Sequence, residues 1–235
     1  LNKVLSYLLE CDEQKVYDLV LMMALLHNKT TYYKEVDIAD YKKIYEDIDT
    51  DIDVAFKYYN DLINTIETKI YMSPSEYLMA RNISKLYAVI DYCKKELKEW
   101  YNLIKDKRRQ RVVTVHNDLP VDHIIKSDAT YLISWEKSKI DIPIYDFILL
   151  YKRHYLDFDF IELLKLYEIK YPLLEEEKKL MFILLSIPVI LDFSSTEIIN
   201  CRNVDSFYNY IYKTNELISE YYSPSNPYQD TKLYE

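Results

Sequence analysis

Apolar residues recur at intervals of three and four along most of this chain. Val16, Leu19, Val20, Met23 and Leu26 fall on one face and predict an amphipathic helix with Asp12 as its N-cap. Tyr41, Ile44, Tyr45, Ile48, Ile52, Ala55, Phe56, Tyr59, Leu62, Ile63 and Ile66 form a longer stripe, which predicts a second helix from about Asp37 to Tyr71. The run Ser73-Pro74-Ser75-Glu76 spells a helix start: Ser73 caps, Pro74 suits the first turn, and Glu76 completes a capping box. That helix is expected to reach about Arg109 and to form an antiparallel hairpin with the helix before it.

The period then changes. Arg111 to His116 is short and β-branched, and Thr130 to Trp135 is its expected partner strand, with Ile124-Ile125 as a third short strand between them. Helices return from Pro143 to about Tyr155, and then from a cap at Asp157 or Asp159 to a point before Pro172. Two more are expected, from Leu173 to Ile187 and from Ser195 to Tyr222. Leu5, Leu8 and Leu9 read as one short helix ahead of the first stripe, and the tail from Ser223, with Pro224 and Pro227, reads as loose. The expectation is a mainly α fold, one domain over 1–222 and a tail over 223–235, with a small β element near 111–135. Loops that project from such an element are placed rigidly, which suits a site.

Composition sharpens this picture by what it forbids. The chain has no glycine, against an average usage of about 7%. Phosphate-cradling loops use glycine because its missing Cβ permits positive φ and close approach of N–H groups to the anion. No Walker loop, dinucleotide fingerprint or glycine-rich lid is therefore encoded. The net charge of −9 offers no footprint for nucleic acid or an anionic membrane. The one basic cluster, Lys105 to Arg111, is expected to end a helix, where cations complement the macrodipole. The longest apolar run, Met181 to Leu191, is too short to span a bilayer. The first ten residues hold neither a basic region nor a small-residue cleavage site, so no secretory leader is expected, and a start at Leu1 is consistent with a piece of a longer protein. Cys11, Cys93 and Cys201 are an odd and widely spaced set, read as buried thiols of a reducing cytoplasm. The 26 tyrosines, paired at Tyr32-Tyr33, Tyr58-Tyr59 and Tyr221-Tyr222, read as core-edge packers whose hydroxyls reach water.

The candidate chemistry sits in His116-Asn117-Asp118, His123 and Ile133-Ser134-Trp135-Glu136, followed by Asp141-Ile142-Pro143-Ile144-Tyr145-Asp146. With Ala24-Leu25-Leu26-His27 upstream, these stretches resemble the aminoglycoside phosphotransferase and choline kinase superfamily, including the spore-coat kinase-like proteins of low-GC bacteria. The likeness runs from about Val16 to Thr214 and implies the helical C-terminal lobe of the kinase-like phosphotransferase fold. The β lobe that the family places first, with its phosphate-gripping Lys, is not spelled by the fifteen residues before Val16. The family's loop reads His-Gly-Asp and then an Asn five residues on; here it reads His116-Asn117-Asp118 and then His123. The family's strand motif, Ile-Asp-Trp-Glu, reads Ile133-Ser134-Trp135-Glu136.

The resemblance makes Asp118 and His116 the candidate catalytic residues, with a brace of the loop as the plainer reading of His116, and gives Asp146 the support of the loop. The two positions that would hold Mg²⁺ carry His123 and Ser134, leaving His123 and Glu136 as the metal candidates. Mg²⁺ prefers oxygen ligands, whereas imidazole suits zinc or copper. Phosphoryl transfer is mostly positioning and charge neutralisation, so these replacements imply a degenerate kinase, a pseudokinase, that binds a protein partner or a ligand and needs no cofactor. An active phosphotransferase using ATP and Mg²⁺ on a small hydroxyl compound is the alternative, and a structural coat protein the third. His27 and His154 read as structural, and Trp135 as core.

Overall fold

A computed structural model describes residues 11–126 and 128–222, and the expected short helix at Leu5–Leu9 and the loose tail after Tyr222 lie outside the described residues. Helix α1 spans Asp12–Thr30 and buries Val16, Leu19, Val20, Met23 and Ala24. Its N-cap is Cys11 and has no side-chain hydrogen bond. Asp12, expected to be the cap, is instead the first helical residue and pairs with Lys15 one turn on. A carboxylate there still complements the positive end of the helix.

Helix α2 (Ile38–Glu67) starts at the Asp37 cap, where a reciprocal Asp37–Asp40 capping box closes the first turn. It stops at Glu67 rather than Tyr71, because the buried stripe ends at Ile66 and the next apolar residues, Ile70 and Tyr71, are almost fully exposed. With nothing further to bury, there is no packing energy to extend the helix. Helix α3 (Pro74–Ile104) opens on the capping box of Ser73 and Glu76. The two helices run antiparallel, as the pairs Tyr45–Tyr101, Asp53–Lys94 and Phe56–Tyr87 show.

Helix α3 ends at Ile104, short of Arg109, because the chain from Arg109 finds strand partners on both sides. Strand β2 (Arg109–Val115) is the centre of an antiparallel three-stranded sheet, between β1 (Tyr32–Glu35) and β5 (Lys139–Asp141). The basic cluster thus straddles a turn and a strand. Its Arg111 reaches the buried Glu177 on α6 (Glu175–Ser186) through Nε at 2.9 Å, and a second guanidinium nitrogen grips the same carboxylate. The guanidinium also lies 4.4 Å from the centre of the Tyr171 ring.

The expected pairing of 111–116 with 130–135 does not form. Strand β4 (Thr130–Leu132) pairs instead with β3 (Ile124–Lys126) as a separate hairpin. Both edges of β2 are already occupied, and the chain leaves the strand conformation at Ser134.

Helices α4 (Ile144–His154), α5 (Phe160–Lys170), α6 and α7 (Glu197–Tyr222) complete the body. Asp159 caps α5, its carboxylate accepting from the N–H groups of Ile161 and Glu162. One contiguous core joins these helices to the inner face of β2 and includes fully buried Tyr59, Tyr151, Tyr167, Phe147 and Phe182. Many tyrosine hydroxyls donate to backbone carbonyls rather than reaching water: Tyr59 to Val189 and Tyr58 to Leu191, each at 2.5 Å, and Tyr210 to Leu185 at 2.9 Å. Of the cysteines only Cys93 is buried; Cys201 is half-buried and Cys11 exposed, which corrects the uniform reading from spacing. Trp135 is 38% exposed, not core, and its indole N–H donates to the Leu132 carbonyl.

Candidate functional site

The fully buried end of β2, Val115, delivers the chain into His116, Asn117 and Asp118. Asn117 takes the left-handed conformation, with φ of 62°. Asparagine is one of the few residues besides glycine that visits this region readily, so a chain without glycine still builds the turn.

The turn aims two backbone N–H groups at one carboxylate. Asp146, fully buried in the first turn of α4, accepts from His116 N at 2.8 Å and Asn117 N at 2.7 Å. A third bond, 3.2 Å long, ties it to His27 Nε2, whose other ring nitrogen lies 2.7 Å from the Tyr167 hydroxyl. With Nε2–H donating to the carboxylate, Nδ1 accepts from Tyr167. A buried carboxylate is tolerable only when its lone pairs are met in this way. Helices α1, α4 and α5 are thereby linked to the loop through one hydrogen-bonded chain.

Asp118 projects from the loop and is gripped from two sides. Lys137 Nζ lies 2.7 Å from Oδ2, and Arg153, in the last turn of α4, lies 3.1 Å from Oδ1. Lys137 and then Arg153 hold the carboxyl down to a pKa of about 2. Both oxygens are therefore engaged, and the group is a weak proton acceptor near neutrality, where general bases work best with matched pKa values.

His116 is fully buried, with Nε2 donating to the Ile133 carbonyl at 2.8 Å. Nδ1, also buried, is left without a hydrogen-bond partner among the described residues. The ring lies 4.8 Å from the ring of Trp135 and 5.8 Å from that of His123. His123 ends the short helical turn Val121–His123, and its Nδ1 donates to the Asp118 carbonyl at 3.0 Å. Its Nε2 is then the ring nitrogen left to accept a proton or ligate an ion. Ser134 is left-handed, with φ of 65°, and introduces the turn Trp135–Lys137 on which Glu136 is exposed.

The fold thus brings His116, Asp118, His123 and Asp146 together, with Glu136 on the neighbouring turn. The donors at the family's metal positions are one hydroxyl and one imidazole, which do not fit the hard, oxygen-seeking Mg²⁺. Among the described residues no group of three His, Cys, Asp or Glu side chains comes together to hold an ion. Sequence reasoning missed Lys137 and Arg153, the partners of Asp118, and the buried link through His27. Lys137 follows directly on the strand motif, but nothing local announces that it turns back on residue 118.

No family model matches the sequence, and no curated protein matches it. Among solved structures the chain is similar to an aminoglycoside phosphotransferase from Alicyclobacillus acidocaldarius subsp. acidocaldarius DSM 446, with a TM-score of 0.57 and 11% identity. The match covers 90% of this chain and 67% of that one. The chain therefore has the mainly α, kinase-like fold of the aminoglycoside phosphotransferases.

Proposed function

We propose that this chain is a degenerate kinase-like protein that binds a protein partner or a ligand without transferring a phosphoryl group. The observation that carries this reading is the state of Asp118, whose two carboxylate oxygens are held by Lys137 and Arg153. A carboxylate whose two oxygens each already bind a cation, and whose pKa is held low, is a poorer acceptor for a substrate hydroxyl's proton. Ser134 and His123 support the same reading, because neither offers the carboxylate or amide oxygen that would hold Mg²⁺ against phosphate oxygens. The proposed setting is the cytoplasm. Among the described residues no helix is long and apolar enough to cross a membrane.

The test is an ATP and Mg²⁺ turnover assay against a panel of aminoglycosides and amino alcohols, with Asp118→Asn as the matched control. The expected result is no product from either protein. Turnover that Asp118→Asn abolishes would overturn the proposal. It would establish the second reading, an active phosphotransferase acting on a small hydroxyl compound. That reading draws its support from the retained Asp118 and from the likeness to an aminoglycoside phosphotransferase. Thermal unfolding with and without ATP and Mg²⁺ separates binding from turnover, since a ligand at a hundred times its Kd stabilises a fold by about 2.7 kcal/mol.

A further inference from the structure

A cavity of about 380 Å³ opens where the end of α4, the segment 186–191 and α7 meet. Its size falls within the range of small-molecule sites, about 300–1,000 Å³. Most of its wall is apolar, supplied by Ile187, Pro188, Val189, Phe207 and Ile211. The wall is held in place from behind. The hydroxyls of Tyr58 and Tyr59 on α2 donate to the carbonyls of Leu191 and Val189, and the Leu191 N–H donates back to Tyr59 at 3.3 Å.

Two polar side chains lining this cavity have nothing to bind. The Ser186 hydroxyl is buried and has no hydrogen-bond partner among the described residues. Lys152 takes part in no ion pair or hydrogen bond among the described residues, although the chain carries nine more acidic than basic groups. Part of its side chain is solvent-exposed, while burial of its ammonium lowers the pKa and no nearby carboxylate offsets the effect. In mostly apolar pockets a single charged group fixes the ligand's orientation, and an ammonium without a carboxylate partner is matched by an anionic head through a charge-assisted hydrogen bond.

We propose that this cavity binds a small organic monocarboxylate, its apolar body against Phe207, Ile211 and Val189 and its anionic head on Lys152. A monocarboxylate suits the site better than a phosphate ester, because Lys152 is the single cationic side chain in a lining whose polar members, Ser186, Asn203, Ser206 and Tyr210, are neutral. Ser186 supplies a buried hydrogen-bond donor within the same space. The site is separate from the Asp118 loop and does not depend on how that loop is read.

The experiment is calorimetric titration of the full chain with decanoate below its micelle concentration, with decanol as the uncharged counterpart. One saturable decanoate site is expected, with decanol at least about tenfold weaker, the scale of one charge-assisted hydrogen bond. Lys152→Met, which keeps the apolar stem, should weaken decanoate about tenfold and leave decanol unchanged, while Lys152→Arg should retain most of the affinity. Asp118→Asn should leave decanoate binding as it is, which keeps this test independent of the phosphotransfer assay. Equal affinities for decanoate and decanol, unchanged decanoate binding by Lys152→Met, or no saturable site would each overturn the proposal.

Discussion

Replacing Asp146 with asparagine preserves the shape of the side chain and removes one of its two acceptor atoms. One carboxylate oxygen accepts from His116 N and His27 Nε2, and the other accepts from Asn117 N. Whichever way the new amide points, its NH₂ faces at least one N–H donor, and the site is fully buried. A buried donor left without an acceptor costs about 1–3 kcal/mol, and bonds to an ionised acceptor sit at the upper end. With one or two donors orphaned, Asp146→Asn should destabilise the fold by about 3 kcal/mol. For a chain of this size that lowers Tm by roughly 6–12 °C. His27→Ala acts on the same carboxylate, so the double variant should be non-additive by about 0.5–3 kcal/mol. Thermal unfolding followed by helical circular dichroism supplies the numbers. Fluorescence of Trp135, whose ring lies 4.8 Å from that of His116, reports on the loop itself. Exposed Glu136→Gln is the control and should stay within about 0.5 kcal/mol of the parent. A Tm shift for Asp146→Asn no larger than the control's, or strict additivity with His27→Ala, would refute the reasoning.

Arg111→Met leaves Glu177, which is 5% exposed, without its cation, and should cost about 3–5 kcal/mol in urea unfolding; a loss below about 1 kcal/mol would show that water reaches the carboxylate. Asp118 has its folded pKa lowered to about 2, so its contribution to stability is present above the unfolded value near pH 4 and is lost as pH falls through 2. Stability curves of the parent and Asp118→Asn should therefore differ by a constant amount from pH 5 to 8 and converge in acid, and a gap that persists below about pH 2 would contradict the ion pairs. Burial raises Tyr151 to about 12, so the unfolded chain ionises this tyrosine first and stability should fall as pH rises from about 10 towards that value. Tyrosinate absorbance should accordingly show a class that appears only as helical circular dichroism is lost, and a single titration near pH 10 with the fold intact would exclude it.

The long helices were legible because their signal is local. The stripe from Tyr41 to Ile66 and the Ser73–Glu76 box specify where α2 and α3 lie, and only their last turns were overextended. Sheet pairing was not legible. All four residues of β1 are exposed and carry no alternation of apolar and polar positions, and β5 is three residues long. With both partners of β2 hidden, Thr130–Trp135 is the remaining β-branched and aromatic stretch, and its pattern alone pairs it with the wrong strand. Motif order brought His116, Asp118, His123 and Asp146 to attention, and the fold places them together. The charge state of Asp118 was hidden because its cations come from 19 and 35 residues downstream, a separation that no local pattern encodes. The position of Trp135 is hidden for a related reason: large aromatic rings are mostly buried, but this one packs at the rim against His116.

The β3–β4 hairpin stands apart from the three-stranded sheet and is only three residue pairs long. A two-stranded ribbon of that length is marginal by itself. Asn117 and Ser134, both left-handed, bracket it, and each stores on the order of 1 kcal/mol of backbone strain. The stretch between them has hinge-like ends and a ladder of its own, with His116 and His123 both fastened to Ile133. It forms a natural unit of local opening. Its amide protons should exchange with solvent at a lower free energy than those of α2 or α3, without the helical body unfolding. Anything that docks on the Asp118 loop then acts on this equilibrium, and would be felt first as slowed exchange between residues 118 and 133.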